Sequence, residues 1–334
     1  MSNTIRILIV ALVVIAGGNT LDPASAVEVE LLNVSYDPTR ELWRAVNAAF
    51  VPKYEAQSGD TLVIKMSHGG SSTQARSVID GLEADVVTLA MGIDTDAIRK
   101  AGQIEPGWQD EFPNRSLPYV STIVFVVRKG NPKAIRDWAD IVKPGIDVIT
   151  PNPKTSGNGK LSFLAAWGAV IQAGGSEEDA RAFVTKLYQQ VPVLDAGARG
   201  STTTFAQKGI GDVHLTWENE AYLEVEEVGG DLEIVYPKVS ILAEPHVAIV
   251  DANVDRKGTR AVAEEYLKFL YTPEAQALIA QHHYRPTTEA GEKLLKLPAI
   301  ELFPVTKIAV DWDDAFEKFF GTGKVFDSIY QEGN

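Results

Sequence analysis

The chain contains no cysteine among its 334 residues. Disulfide bonds, thiolate metal sites and cysteine nucleophiles are therefore excluded. Histidine is also scarce, and the five present are His68, His214, His246, His282 and His283. Their spacing does not match metal ligands, because the adjacent His282 and His283 would point to different faces of a helix. We therefore expect neither a metal ion nor a cofactor.

The chain has fewer basic than acidic residues, 31 against 45, so its formal net charge is −14. A polyanion such as DNA would be repelled at long range, so we expect no nucleic-acid partner. Apolar residues make up 45% and charged residues 23% of the chain, which is ordinary globular composition. A chain of this length has enough apolar residues for sizeable cores and suggests about two domains.

Common signatures of hydrolases and nucleotide-binding proteins are also missing. The chain has no Gly-x-Ser-x-Gly motif, which disfavours an α/β-hydrolase. The segment 157–160 partly resembles a phosphate-binding loop, but Leu161 stands where a hydroxyl would have to hold magnesium. No pairing of a nucleophile with a base is recognisable. We therefore expect a protein that is not an enzyme, with a hydrolase of sulfate or phosphate esters as a remote alternative.

The only markedly apolar run near the start is residues 7–16, which follow Arg6 and precede two glycines. The small residues Ala24, Ser25 and Ala26 then offer a cleavage site, completing the pattern of a secretory signal peptide. As a helix, about ten residues span roughly 15 Å, half of the hydrocarbon core of a bilayer. We predict a signal peptide over residues 1–26, rather than a permanent anchor, and a soluble periplasmic protein after its removal.

Strand-like and helix-like segments alternate along the chain. Residues 29–35 and 61–67 have the pattern of strands, and residues 71–81 have the apolar spacing of a helix. Asp37 and Pro38 are typical of the N-cap and first residue of a helix. This alternation predicts an α/β fold in which each sheet is mostly parallel and flanked by helices.

Two long strand-like runs, residues 119–128 and 241–250, are suited to pass between two halves of the molecule. Two such crossings predict two lobes with a cleft between them. We expect one lobe to comprise residues 27–118 plus 242–310 and the other to comprise residues 119–241. The C-terminal segment 311–334 would pack on the lobes.

Four polar loops share one pattern, in which a strand ends, a short loop follows and a helix begins: residues 35–38, 67–72, 152–159 and 197–202. In parallel sheets such loops lie at the carboxyl ends of the strands, where ligands bind. Helix N-termini carry unpaired N–H groups and about half a positive charge, so several together can bind an anion without a cation. Helix capping alone explains any single loop, but the shared pattern favours an anion-binding cleft. Trp217 follows a strand and is either a core residue or an indole donor.

Several longer motifs resemble those of periplasmic sulfate-binding proteins, the receptors of sulfate/thiosulfate ABC importers. They are the segments 35–42, 67–71, 151–154, 164–168, 197–202, 217–220 and 241–245. The resemblance covers essentially all of the chain after residue 26. It implies a type II-like periplasmic-binding-protein fold, a two-lobed venus flytrap that closes on one dehydrated sulfate. It also implies membrane permease subunits as partners of a monomeric receptor.

In that family, backbone N–H groups, one serine hydroxyl and one tryptophan indole hold the dianion, and no cation contacts it. Carried over by position, the resemblance implies backbone donors at Asp37, Ser71, Gly157, Asn158 and Ala198, the hydroxyl of Ser156 and the indole of Trp217. We expect the Asp37 carboxylate to turn toward the helix cap. We expect Arg199 to pair with an acid or a carbonyl and not with the ligand.

Asn158 stands where sulfate receptors have glycine, and related thiosulfate receptors show Gly-Asn there. The resemblance therefore implies sulfate as the ligand and leaves thiosulfate open. A receptor for molybdate or phosphate is a further alternative within the same fold.

Overall fold

The computed structural model describes residues 27–332. The signal peptide predicted for residues 1–26 lies outside the described residues. No helix of the described part is both long enough and apolar enough to cross a membrane. The described chain alternates strands and helices, which confirms the α/β class.

The strands of the described residues lie in two four-stranded sheets and two small two-stranded ones. In chain order they are β1 (Glu28–Tyr36), β2 (Thr61–Gly69), β3 (Val86–Thr88), β4 (Tyr119–Val120), β5 (Ile123–Arg128), β6 (Val148–Ile149), β7 (Val213–Trp217), β8 (Leu232–Val235), β9 (Val239–Ile241), β10 (Val247–Ile249), β11 (Arg285–Pro286) and β12 (Glu301–Phe303).

The helices cover both faces of the two larger sheets. They are α1 (Arg40–Ser58), α2 (Ser71–Ile79), α3 (Gly92–Lys100), α4 (Pro113–Ser116), α5 (Trp138–Ile141), α6 (Gly157–Gln172), α7 (Glu177–Gln189), α8 (Ala198–Thr202), α9 (Glu218–Glu227), α10 (Asp251–Lys257), α11 (Arg260–Phe269), α12 (Pro273–Gln281), α13 (Glu289–Glu292), α14 (Trp312–Phe320) and α15 (Val325–Glu332). A 3₁₀ turn, Asp37–Thr39, precedes α1, and a π-helical turn, Thr203–Gln207, follows α8.

The two larger sheets have the same plan. The first has the order β10-β3-β1-β2, and the second has the order β6-β7-β5-β8. In each sheet three strands run in one direction and the fourth runs opposite to them. The opposite strand is β10 in the first sheet and β5 in the second, and each follows a chain crossing from the other sheet. The predicted predominance of one strand direction is therefore confirmed in both sheets, although β5 lies inside the second sheet and pairs antiparallel with both β7 and β8.

The two crossings lie side by side between the sheets. Ser121 and Ala243 exchange backbone hydrogen bonds of 3.0 and 2.9 Å, and the Thr122 hydroxyl donates to the carbonyl of Ile241 at 2.7 Å. Two short connections held together in this way form a hinge about which two packed bodies can rotate.

The lobe boundaries stay a prediction. One short stretch, however, packs against the other lobe from the one to which these boundaries assign it. Strand β12 pairs with β9, and Phe303, Val305 and Ile308 join the apolar core beside the second sheet. This packing favours placing residues 301–310 with the second lobe, although the sequence suggested the first. The reason is that β12 completes a two-stranded ladder at the hinge instead of extending the first sheet.

The C-terminal helices α14 and α15 pack mainly on the second lobe. Phe319, Phe320 and Phe326 surround Phe163 of α6, with ring centroids 5.7, 5.3 and 6.1 Å from it. One ion pair, 2.8 Å long, joins Asp313 of α14 to Lys100 of α3.

Gly168 of α6 allows the close approach of β12. A Cβ atom at Gly168 would lie 2.1 Å from Cζ of Phe303. We expect Gly168→Ala to lower the free energy of unfolding by about 1–3 kcal/mol, because the extra methyl overpacks a tight contact.

Urea unfolding of the four proteins of a double-mutant cycle with Phe303→Leu measures this penalty and its origin. The penalty should shrink when Phe303→Leu has already made room for the methyl group. An equal penalty in both backgrounds would mean that Phe303 is not the obstacle.

Candidate functional site

Five helical segments begin at one small region between the two larger sheets. The turn before α1 follows β1, α2 follows β2, α6 follows β6, α9 follows β7, and α8 begins beside them. Residues at these helix starts surround a small cavity. The cavity is lined by Tyr36, Asp37, Pro38, Gly69, Gly70, Ser71, Ala90, Ser156, Gly157, Asn158, Ala198 and Trp217. All seven residues predicted from the sequence are thus brought together, although their role in binding stays a prediction.

The helix starts leave backbone donors at this cavity. Ser71, Gly157, Asn158 and Ala198 occupy the first positions of their helices, where N–H groups have no intrahelical acceptor. Gly159 keeps the loop before α6 tight, because a Cβ atom there would lie 2.4 Å from the Pro151 carbonyl oxygen. The start of α6 is therefore fixed by close backbone packing.

The start of the first helical turn differs from the prediction. Tyr36, still extended at φ −94° and ψ 160°, precedes the turn, and Asp37 is already its first residue. The sequence suggested that the Asp37 carboxylate would turn toward the helix cap, but this carboxylate makes no cap hydrogen bond. Instead it accepts a hydrogen bond of 2.6 Å from Arg40, because that guanidinium lies one turn further along and offers a full charge. The carboxylate is thereby compensated by Arg40.

Two side chains add donors of their own. Ser156 is the N-cap of α6, and its Oγ accepts only a long contact of 3.4 Å from the Gly159 amide. Trp217 ends β7 with 1% of its surface exposed, and its ring lies 5.4 Å from Tyr36. Neither the Ser156 hydroxyl hydrogen nor the Trp217 indole hydrogen has an acceptor among residues 27–332.

The side chain of Asn158 turns away from the cavity. Its amide nitrogen donates to the Leu215 carbonyl at 3.4 Å, and its oxygen accepts from the Ser162 hydroxyl at 3.3 Å. Asparagine at this position therefore leaves the backbone N–H in place, as glycine would.

Positive charges lie near the cavity but do not line it, since none of its lining residues is lysine or arginine. Arg199 pairs with Glu41 at 3.0 Å and with Glu220 at 3.3 Å, as predicted. Lys160 is almost fully buried and donates to the Ser72 hydroxyl at 2.8 Å. Burial lowers the pKa of the Lys160 ammonium. Each cation thus has protein partners of its own.

The two lobes are closed over the cavity. Ser71, Ser156 and Asn158 are at most 3% exposed. Hydrogen bonds join the helical segments that follow the two sheets, including one from the Asn219 amide of α9 to the Pro38 carbonyl of the turn after β1 at 3.0 Å. Arg285 also donates two bonds, of 2.8 and 2.7 Å, to the Glu218 carboxylate.

Sequence reasoning did not single out every lining residue. Tyr36, Pro38, Gly69 and Gly70 lie in motifs that it used, but Ala90 was missed. Ala90 follows β3, which ends at the same edge of the sheet as β1 and β2. The position of a loop after a parallel strand was the available signal.

The model of the bacterial extracellular solute-binding protein family matches residues 42–285. The chain belongs to this family. Within it, the chain is 52% identical over 308 residues to a sulfate-binding protein of Escherichia coli, with 91% of this chain and 94% of the relative covered. It is also 49% identical over 320 residues to a thiosulfate-binding protein of Pseudomonas aeruginosa, with 95% and 96% covered.

A solved structure of a sulfate-binding protein is also similar to this chain. The sulfate-binding protein SubI from Mycobacterium tuberculosis superposes with a TM-score of 0.77 and is 32% identical. The superposition covers 87% of this chain and 99% of that one. These relatives are all named as binding proteins, and the two-lobed periplasmic-binding-protein fold predicted from the sequence is confirmed.

Glu220 of α9 is 1% exposed beside Arg199, and burial raises the pKa of its carboxyl to about 8. The folded chain therefore keeps a proton that an unfolded glutamate releases near its ordinary value of 4.5. Stability should consequently fall as the pH rises between these two values. We expect Glu220→Gln to remove this part of the pH dependence.

Urea unfolding from pH 5 to pH 8 checks this expectation. The stability of the wild type relative to Glu220→Gln should decrease steadily over that range. The exposed Glu289→Gln serves as a control that leaves the slope unchanged. Parallel stability curves for wild type and Glu220→Gln would show that Glu220 ionises normally.

Proposed function

We propose that this chain is an exported receptor that binds sulfate in the cavity and delivers it to the permease subunits of an ABC importer. The receptor acts as a monomer and catalyses no reaction. The observation that carries the proposal is the meeting of several helix N-termini, without a lining cation, in one small buried cavity. The relatives named for sulfate binding support it.

The proposed ligand contacts follow from the donors at the cavity. Backbone N–H groups of Asp37, Ser71, Gly157, Asn158 and Ala198 would donate to sulfate oxygens, together with the Ser156 hydroxyl and the Trp217 indole. Each helix N-terminus adds about half a positive charge. Such ends are ready-made sites for anions, and their dipoles spread the compensation over both lobes.

A site made of donors distinguishes sulfate from hydrogen phosphate. Sulfate has no proton at neutral pH, so every oxygen can accept a hydrogen bond. Hydrogen phosphate brings a proton that needs an acceptor, and the one lining carboxylate, Asp37, is held by Arg40. A buried donor left unpaired costs about 1–3 kcal/mol. We therefore infer strong rejection of phosphate.

Thiosulfate is the second candidate, because a relative named for thiosulfate binding is 49% identical to this chain. Asn158 is compatible with either ligand, since its side chain faces the Leu215 carbonyl and not the cavity. Molybdate and phosphate receptors stay as weaker alternatives. An ester hydrolase is disfavoured because no histidine lines the cavity to activate Ser156, and Asp37 is held by Arg40.

The family places the protein outside the cytoplasm, and the signal peptide predicted for residues 1–26 favours the periplasm. Closure of the lobes around the ligand would dehydrate it. The same closure would form the surface that the permease recognises.

Calorimetric titration of protein stripped of bound ligand tests the proposed function. We expect sulfate to bind with micromolar or better affinity, about −8 kcal/mol or stronger. Parallel titrations with thiosulfate, molybdate and phosphate rank the alternatives. The absence of heat with both sulfate and thiosulfate would refute the proposal.

Removal of either side-chain donor should weaken sulfate binding. We expect Ser156→Ala and Trp217→Phe each to reduce affinity about tenfold to a hundredfold, because hydrogen bonds to charged groups contribute about 1.5–3 kcal/mol. Circular dichroism should show an unchanged fold.

Matched controls come from the same lobe. Ser240 donates to the Ile123 carbonyl at 2.8 Å, and the Trp138 indole donates to the Val239 carbonyl at 2.8 Å. Ser240→Ala and Trp138→Phe remove bonds within the protein and should leave sulfate affinity unchanged. Wild-type affinity in both cavity variants would show that the ligand binds elsewhere.

A further inference from the structure

A buried polar cluster lies behind the cavity, on the opposite face of β7. It consists of His214, Glu224 and Thr202, which are 0%, 1% and 5% exposed. Nδ1 of His214 lies 2.8 and 3.1 Å from the two Glu224 carboxylate oxygens. The Thr202 hydroxyl donates to Oε1 of Glu224 at 2.8 Å. A carboxylate only accepts, so both partners donate to Glu224.

This cluster joins three elements that meet at the cavity. Along β7, side chains alternate between faces, so Trp217 and His214 lie on opposite sides of the sheet. Trp217 lies in the core between the lobes, whereas the His214 ring lies 5.5 Å from Phe205 on the outer side. Thr202 belongs to α8 and Glu224 to α9. One carboxylate therefore connects α8, α9 and β7.

Helix α8 needs such an anchor because it is short. It has five residues and runs directly into the π-helical turn Thr203–Gln207. A helix of this length is not stable through its own hydrogen bonds. Arg128 holds the far end, donating to the Phe205 carbonyl at 3.1 Å and to the Gly211 carbonyl at 2.9 Å. The cluster holds the end of α8 itself.

We propose that Glu224 is a positioning residue: by holding Thr202 at the end of the five-residue helix α8 and His214 of β7, it fixes α8 as a unit relative to Trp217. It would thereby set the spacing of the Ala198 amide and the Trp217 indole, two of the proposed sulfate donors. The inference rests on the proposed function for the identity of the ligand. It concerns residues that do not line the cavity.

The composition of the cluster supports this role over simple packing. Desolvating a carboxylate is costly, and apolar residues of similar volume often stabilise a core equally well or better. The other ring nitrogen of His214 is also buried without a partner in the described chain. Directional bonds from two elements, α8 and β7, to one carboxylate of a third, α9, by contrast, define a unique geometry.

The first test uses an isosteric change in the cluster. Thr202→Val keeps the shape of the side chain and removes the hydroxyl that donates to Glu224. We expect sulfate affinity to fall about threefold to tenfold, less than for the loss of a ligand donor, because the lost bond acts on the ligand only through the position of α8. Thr202→Ser keeps the hydroxyl and should restore wild-type affinity, which a role in packing alone would not predict.

The second test replaces the ionic pair by apolar residues. The double variant His214→Leu/Glu224→Leu should fold with undiminished thermal stability, because the buried charge and its partner are removed together. We expect its sulfate affinity to fall about tenfold, because Thr202 at the end of α8 loses its bond to Glu224. Arg181→Met, which removes a 2.7 Å bond to Ser328 on another face of the same lobe, is the control expected to bind normally.

A readout without ligand separates this inference from the proposed function. In the ligand-free protein, Thr202→Val should shift the indole N–H resonance of Trp217 and speed hydrogen exchange at the Ala198 amide. Thr202→Ser should leave both unchanged. If wild-type protein bound no sulfate, the proposed function would fail, and these two signals would still decide the inference.

Wild-type affinity together with unchanged resonance and exchange in Thr202→Val would overturn the role of Glu224. If the double variant failed to fold, the comparison of Thr202→Val with Thr202→Ser would decide by itself. Equal losses in the valine and serine variants would also count against positioning through the hydroxyl.

Discussion

Enclosing a doubly charged anion in a dry cavity is the constraint on which the proposed receptor depends. Water must be replaced by groups that donate hydrogen bonds, and the negative charge must be balanced without a permanent cation. In this structure the cavity is surrounded by the starts of helical segments from both lobes, and each start carries unpaired N–H groups and partial positive charge. Arg40, Arg199 and Lys160 remain in contacts of their own.

This constraint explains why the loops and not the strands carry the site. The carboxyl ends of parallel strands lie at one edge of the sheet, and short loops there connect the strands to the helices that follow. Glycines at the loops allow the backbone to come close, as at Gly70, where a Cβ atom would lie 3.0 Å from the Thr155 carbonyl of the facing lobe. The cavity is therefore formed by backbone, and side chains mainly hold that backbone in place.

Much of this could be predicted from the sequence, because the signals are local. Alternating apolar spacing indicated the strands, and polar loops before helices indicated where an anion could bind. The family resemblance then implied Ser71 and Ser156 within those loops. The partner of the Asp37 carboxylate could not be predicted, since it depends on the rotamer of Arg40 and on the turn starting at Asp37 itself. Ala90 was missed because alanine has no distinctive chemistry. The cluster of His214, Glu224 and Thr202 was also missed, since its members belong to three different elements and meet only when α8 and α9 pack on β7.

Strand β10 joins the first sheet although it lies far along the chain from β1, β2 and β3. This order has a consequence for how the chain folds. The core beside β1 and α1 also needs α11, where Tyr266 and Phe269 contact Trp43 and Phe50 at ring-centroid distances of 5.9 and 5.4 Å. More than two hundred residues separate these partners along the chain. Contacts so distant in sequence slow folding, because long loops must close first. The core beside β1 and α1 can therefore be completed only after α11 has been synthesised, so the first strands and α1 spend most of synthesis without their final packing partners.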